Sequence, residues 1–244
     1  MTEPSGINSV PTPAYEWVNN VDQWPVPPYE LIYLVVGPSN PKDFVKGGKE
    51  IANRCIIDAL ARNGLSMANF GTMLDFGCGC GRIIRHWKPL SSAQLHGTDY
   101  NPKLVEWCRD NLSFAQFEVN QLIPPLKYPD KMFDFIFAGS VFTHLTEELQ
   151  FAWLDELWRV LRSNGYLMIT THGDYFAQQL PFELFVKYNN GQHVTVNNGE
   201  VGTNMFGAYH SEKYIREIMA RRFIVIDFIP KGWDKQDLIL FQKG

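Results

Sequence analysis

Apolar residues along this chain switch between two periods. Short apolar or alternating runs at 72–76, 93–99, 114–119, 132–138 and 166–171 read as strands. Between them, apolar residues recur at three- and four-residue steps, as on one face of a helix. Lys49 to Arg62 is such a stretch, with Ile51, Cys55, Ile56, Ala59 and Leu60 on one side and Asn63-Gly64 as its stop. A second helix is expected over about 81–89, and a third from Pro102, at a first-turn position, to Leu112. Thr146-Glu147-Glu148 opens a fourth, whose face carries Leu154, Leu157, Trp158 and Leu161. Ser211 caps a last one, with Tyr214, Ile215, Ile218 and Met219 on one side. Two closing strands, 223–229 and 237–241, flank Pro230-Lys231-Gly232, read as their turn. Asn40 to Gly48 reads as loop and turn, and Glu30 to Val36 fits helix or strand equally.

Strands and helices in alternation predict an α/β protein with an open, mostly parallel, doubly wound sheet of seven strands. The rhythm breaks at 173–210, which reads as an insertion. The chain is taken as a single domain over 1–244. It comprises an N-terminal arm or cap (1–48), a core (49–172), the insertion or lid (173–210), and a closing helix with strands (211–244).

Composition narrows this little. Of 244 residues, 45% are apolar and 20% charged, which is ordinary for a globular chain. The net charge of −4 gives no basic excess for nucleic acid. No run approaches the ~20 apolar residues of a membrane span, and Met1-Thr2-Glu3-Pro4 lacks the start of a signal peptide. A cytoplasmic protein with reduced thiols is expected: Cys55, Cys78, Cys80 and Cys108 form no CxxC pair, and no zinc set accompanies them. Six prolines and Tyr15, Trp17 and Trp24 crowd the first thirty residues, of which the first ~13 are expected to be loose.

The chemistry concentrates where the first strand ends, in Asp75-Phe76-Gly77-Cys78-Gly79-Cys80-Gly81-Arg82. Glycines at alternate positions let a ligand or a second backbone come close. The helix expected to follow would offer unpaired N–H groups to it. In open parallel sheets ligands sit at the carboxyl ends of strands, which places Asp75 to Gly81, Asp99, Asn120, Gly139, Ser140 and His172 on one rim. A dinucleotide fingerprint would need a third glycine at 82, where Arg82 stands. That opposes a nicotinamide-dependent oxidoreductase, which stays open as an alternative.

The segment Leu74 to Arg82 resembles the cofactor motif of class I S-adenosylmethionine-dependent methyltransferases. So, in order, do Gly97 to Pro102, Phe133 to Leu145 and Leu157 to Leu167. Ser163-Asn164-Gly165 stands where the family usually has Pro-Gly-Gly. The resemblance implies a Rossmann-like methyltransferase fold with the last strand antiparallel, and S-adenosylmethionine as cofactor. It also implies roles. Gly77, Cys78, Gly79, Gly81 and Arg82 would cradle the methionine part, and Asp75 would attract its ammonium. Asp99 would hold the ribose and Tyr100 would flank the adenine. Asn120 or Gln121 would meet the adenine edge, and Gly139 and Ser140 would floor the sulfonium. Transfer to oxygen of a small molecule or glycan precursor is the favoured activity. His144 and His172 are the candidate general bases among several, with structural roles as the competing reading. Nothing points to a metal, a nucleic acid or a membrane, and the oligomeric state is open. A cofactor-binding partner subunit without transfer activity is the non-enzymatic alternative. The acceptor pocket is expected between 14–48 and 173–210.

Overall fold

The computed structural model describes residues 22–197 and 199–244. The expected loose start and the aromatics Tyr15 and Trp17 lie outside them. Seven strands form the main sheet: β1 (Thr72–Phe76), β2 (Gln94–Asp99), β3 (Gln116–Val119), β4 (Phe133–Ala138), β5 (Leu161–Thr171), and, after a separate hairpin of β6 (Val194–Asn197) and β7 (Phe206–Tyr209), β8 (Phe223–Trp233) and β9 (Gln236–Lys243). The order is β3-β2-β1-β4-β5-β9-β8. β1 to β5 are parallel, and β9 runs antiparallel between β5 and β8. This is the expected doubly wound sheet with the last strand reversed. β8 therefore runs in the same direction as β5, and its end reaches the same rim.

Side chains leave each strand alternately to two faces, and each face has its own core. Met73, Phe135 and Phe137 face Ile56, Leu60, Trp87 and Val105 on one side. Leu74, Phe76, Ile136 and Ala138 face Trp153, Leu154, Leu157 and Ile215 on the other. Burial of each such large side chain stabilises by roughly 1.5–3 kcal/mol, which fixes register, because a one-residue slip would exchange the two faces.

Helices cover both faces. α1 (Tyr29–Val36) resolves the ambiguous run as a helix. Residues 40–48 are not a loop: α2 (Pro41–Glu50) begins at Pro41, with Asn40 capping the Asp43 N–H, and continues through a wide π turn (Ile51–Ile57) into α3 (Asp58–Arg62). Gly47-Gly48, which looks like a turn, is helix interior because the Arg82 backbone crosses there; a Cβ on Gly48 would overlap the Arg82 carbonyl oxygen. This helix runs through the 48/49 boundary drawn from the sequence.

α4 (Pro102–Asn111) and α5 (Glu147–Val160) occur as expected, capped by Asn101 and Thr146. The helix expected over 81–89 does not form. The chain makes only two 3₁₀ turns there, Ile84–His86 and Lys88–Leu90. Gly81 sits at φ +76°, outside helical space, and Pro89 cannot donate to a continuing ladder. The expected seat at a helix N-terminus is therefore not built.

Within 173–210 the chain forms α6 (Asp174–Ala177), α7 (Phe182–Asn189) and the β6–β7 hairpin. The helix after Ser211 comprises α8 (Glu212–Tyr214) and a π turn (Ile215–Met219). Pro230-Lys231-Gly232 is a bulge inside β8, not the turn; β8 turns into β9 at Asp234-Lys235, and Trp233 pairs with Gln236.

Candidate active site

β1 ends at Phe76, and the next residues cannot continue as strand. Gly77 (φ +79°) and Gly79 (φ +55°) occupy left-handed space that a side chain would strain. The turn is tied back into the sheet: Gly77 and Cys78 donate their N–H groups to Thr98 O at 2.8 and 2.9 Å. Gly79 donates to Asp99 Oδ2 at 2.9 Å, and Asn101 donates to Asp99 Oδ1 at 2.9 Å. The carboxylate at the end of β2 thus locks the loop after β1 to the start of α4. Burial raises the pKa of Asp99, and these bonds pull it back down.

Two cavities meet over this turn. The larger, of about 590 Å³, is walled by Asp99, Tyr100, Asn120, Gln121 and, beyond them, His144 and Trp153. Among the described residues Asp99 is the one carboxylate on its wall, and no Lys or Arg lines it. The smaller, of about 270 Å³, is walled by Asp75, Cys78, Arg82, Trp233, Lys235 and Gln236. Gly77, Gly139 and Ser140 line both. A Cβ on Gly139 would overlap the Trp233 ring, which explains the glycine there.

Ser140 itself has φ +58°, a strained position for a side chain. A polar network holds it. Its N–H donates to Thr170 Oγ1 at 2.7 Å, and Gln236 Nε2 donates to its Oγ at 3.0 Å. Thr170 Oγ1 in turn donates to Gln236 Oε1 at 2.6 Å, and Thr143 Oγ1 donates to the Ser140 carbonyl at 2.9 Å.

Asp75 is 2% exposed, and its Oδ2 has no hydrogen-bond partner among the described residues. Burial drives its pKa up to about 8, with the Asp99 charge adding to the rise and the Ile84 backbone opposing it. Asn120 donates through Nδ2 to Gln121 O at 2.7 Å, which leaves its Oδ1 without a partner.

His144 Nδ1 lies 2.7 Å from Phe206 O, a bond that fixes the proton on Nδ1. Among the described residues Nε2 has no partner, and it is not sealed off. Burial lowers its pKa, against the Phe206 bond. His172 lines neither cavity. Its ring packs on Phe176 at 4.5 Å and edge-on to His144 at 6.1 Å. Burial, then the His144 ring, lowers its pKa to about 4. Gly81 also lines neither cavity, being covered by Leu112.

The structure thus gathers Asp75, Gly77, Cys78, Gly79, Arg82, Asp99, Tyr100, Asn120, Gln121, Gly139, Ser140 and His144 around the paired cavities. Two further walls, Val35 of α1 and the loop Gly202 to Met205, lie in the segments 14–48 and 173–210 between which the acceptor pocket is expected. One wall was not named from the sequence, the β8–β9 turn with Trp233, Lys235 and Gln236. It could have been found, because a strand parallel to β5 must end on the ligand rim.

Residues 74–169 match the model of a methyltransferase domain. Solved structures share the fold. A methyltransferase from Methanosarcina mazei described as SAM-dependent is 21% identical over 75% of this chain and 96% of its own, with TM-score 0.54. DesVI from Streptomyces venezuelae is 15% identical over 88% and 97%, with TM-score 0.58. The 1,6-didemethyltoxoflavin-N1-methyltransferase of Burkholderia thailandensis, solved with that compound and S-adenosylhomocysteine, is 15% identical over 80% and 78%, with TM-score 0.56. Residues 74–169 are thus similar to a methyltransferase domain, and the fold is one shared with solved S-adenosylmethionine-dependent methyltransferases. The residues present would fit S-adenosylmethionine: a buried carboxyl oxygen of Asp75 and an amide oxygen of Asn120, both unpartnered among the described residues, and two cavities joined at the glycine turn. Among the described residues no helix is long and apolar enough to cross a membrane.

Proposed function

We propose that this protein transfers a methyl group to an oxygen of a small, uncharged acceptor, a glycan precursor or a ring of similar size, with His144 as general base. The observation that carries this reading is the tautomer of His144. Its Nδ1 proton is committed to Phe206 O, so the free Nε2 is the basic nitrogen, on the wall of the larger cavity. Burial keeps the ring neutral at pH 7, so it can accept a hydroxyl proton. The methyl donor of this proposal is S-adenosylmethionine, which when bound would supply an activated methyl on a sulfonium; the protein's task would then be to align the acceptor and exclude water.

Asp99 and Asn120 would hold the nucleoside, with Tyr100 and Gln121 beside it. Asp75 would face the ammonium, and Gly139 and Ser140 would lie under the reacting centre. The polar network around Ser140 would keep that floor rigid. His172, packed edge-on to His144, would position it rather than touch the acceptor. A wall that has no Lys or Arg among the described residues favours an acceptor lacking phosphate or carboxylate. Val35, Tyr33 and the Gly202–Met205 loop would form the lid. The methyltransferases of similar fold include one that acts on a small heterocycle, in keeping with a small acceptor here.

The test is a panel of phenols and free sugars assayed for S-adenosylhomocysteine release, followed by His144→Gln on the best acceptor. Turnover should fall by ~10²–10⁴-fold, the usual worth of a general base, with cofactor affinity unchanged. A variant that turns over at the native rate would remove His144 from the chemistry.

A further inference from the structure

Single exposed apolar side chains are ordinary on a protein surface, whereas a group of them around a concave site marks binding. Of the eleven large apolar side chains exposed among the described residues, five converge on the larger cavity: Tyr33, Leu34, Tyr100, Leu122 and Met205. They come from four places in the chain, namely α1, the ends of β2 and β3, and the loop before β7. Tyr100 and Leu122 stand beside Asp99 and Asn120, on the side read above as the nucleoside's. Tyr33, Leu34 and Met205, at 52%, 48% and 61% exposure, form a lip contributed by α1 and the hairpin loop. Met205 is one residue from Phe206, whose carbonyl holds His144. Inward from the lip the wall stays apolar through Leu104, Leu145 and Trp153. A cavity of about 590 Å³ has the size that takes one drug-sized molecule. With a nucleoside inside it, the part of an acceptor beyond its methylated end lies over the lip.

We propose that the acceptor carries an apolar tail, a short alkyl or aryl chain on its uncharged hydroxyl-bearing head, and that Tyr33, Leu34 and Met205 select that tail. The inference deepens the methyl-transfer reading above and rests on it. Covering the lip with a tail removes its apolar area from water, and the gain grows with the length of chain laid on it. A second copy of the chain suits the lip less well: five side chains around a concave mouth fall short of the roughly 20–30 residues a side of a stable protein interface.

The experiment is titration calorimetry of the full chain, with and without saturating S-adenosylhomocysteine, using 4-ethyl-, 4-butyl- and 4-hexylphenol. Native protein should bind ~2–4-fold more tightly for each added methylene, fourfold being the worth of a fully buried one. Leu34→Ser combined with Met205→Ser should reduce the gain from ethyl to hexyl by at least ~fivefold and leave 4-ethylphenol within about twofold. Both positions are exposed, so the variant should fold. A series without chain-length dependence in native protein overturns the inference, as does a series equally steep in the variant. With a flat series, a variant that loses several degrees of unfolding midpoint assigns the lip to packing within the chain. A variant that changes the sedimenting mass assigns it to a second copy. Both results overturn the proposal. Release of S-adenosylhomocysteine from the same phenols and S-adenosylmethionine reports on methyl transfer separately: a steep, lip-dependent series without release keeps the tail site and counts against the transfer reading.

Discussion

If Asp75 faces the cofactor's ammonium, binding must move a proton. In the free protein burial holds the Asp75 pKa at about 8, so at pH 7 the carboxyl is roughly 90% protonated. An ammonium beside it favours the charged form, and binding at pH 7 should release about 0.8–0.9 protons. Ionising the carboxyl at pH 7 costs about 1.4 kcal/mol, the free energy of one pKa unit, and this cost fades toward pH 8. The ionised fraction rises about 50-fold from pH 6 to pH 8, while the ligand's amine, with an ordinary α-amino pKa near 8, loses roughly half its charge; affinity for S-adenosylhomocysteine should therefore tighten about 20-fold over that range. Calorimetry in phosphate and in Tris, whose ionisation enthalpies differ, counts the protons directly. Asp75→Asn should abolish both the release and the tightening with pH, leaving only the roughly twofold effect of the ligand's own amine.

The sign for folding is opposite. A carboxyl whose folded pKa is raised gives stability that is complete below the unfolded value of 3.8 and is lost as pH rises through about 8. The free Asp75→Asn protein should therefore be more stable than native at pH 8, and the margin should shrink toward pH 4. No proton release by native protein, or equal release by the Asn variant, would refute the reasoning.

Two substitutions test the packing that shapes the site. Gly48→Ala should destabilise by about 1–3 kcal/mol in urea unfolding, although alanine is worth about 1 kcal/mol over glycine in a free helix, because the new methyl meets the Arg82 carbonyl; a stabilised variant would contradict that contact. Gly139→Ala should displace the Trp233 ring, costing about 1–3 kcal/mol and shifting tryptophan fluorescence; an unchanged spectrum and midpoint would show that Trp233 does not lie there.

Much of the fold could be read from the sequence because the parallel strands are short apolar runs between amphipathic stretches. Asp75, Asp99 and Gly139 could be placed for the same reason: each ends or follows a strand on one rim. The misreadings have local causes. Gly47-Gly48 carries a turn's composition, but its purpose is a close approach that only the folded Arg82 reveals. Pro230-Lys231-Gly232 likewise looks like a turn and is a bulge, so the true turn was placed too early and Trp233, Lys235 and Gln236 were missed. The helix after the glycine turn looked continuous by periodicity, yet the left-handed Gly81 and Pro89 reduce it to 3₁₀ turns. His144 and His172 are both candidates in sequence; the fold puts His144 on the wall of the larger cavity, held through the Phe206 carbonyl 62 residues away, and His172 on neither wall.

The central claim is that the paired cavities at the glycine turn form one S-adenosylmethionine site locked by Asp99. Titration of the native chain and of Asp99→Ala with S-adenosylhomocysteine, with NADH as control, tests it most directly. The account predicts one site per chain for S-adenosylhomocysteine, none for NADH, and no measurable binding to a folded Asp99→Ala. Binding that survives the substitution unchanged, or a preference for NADH, would contradict it.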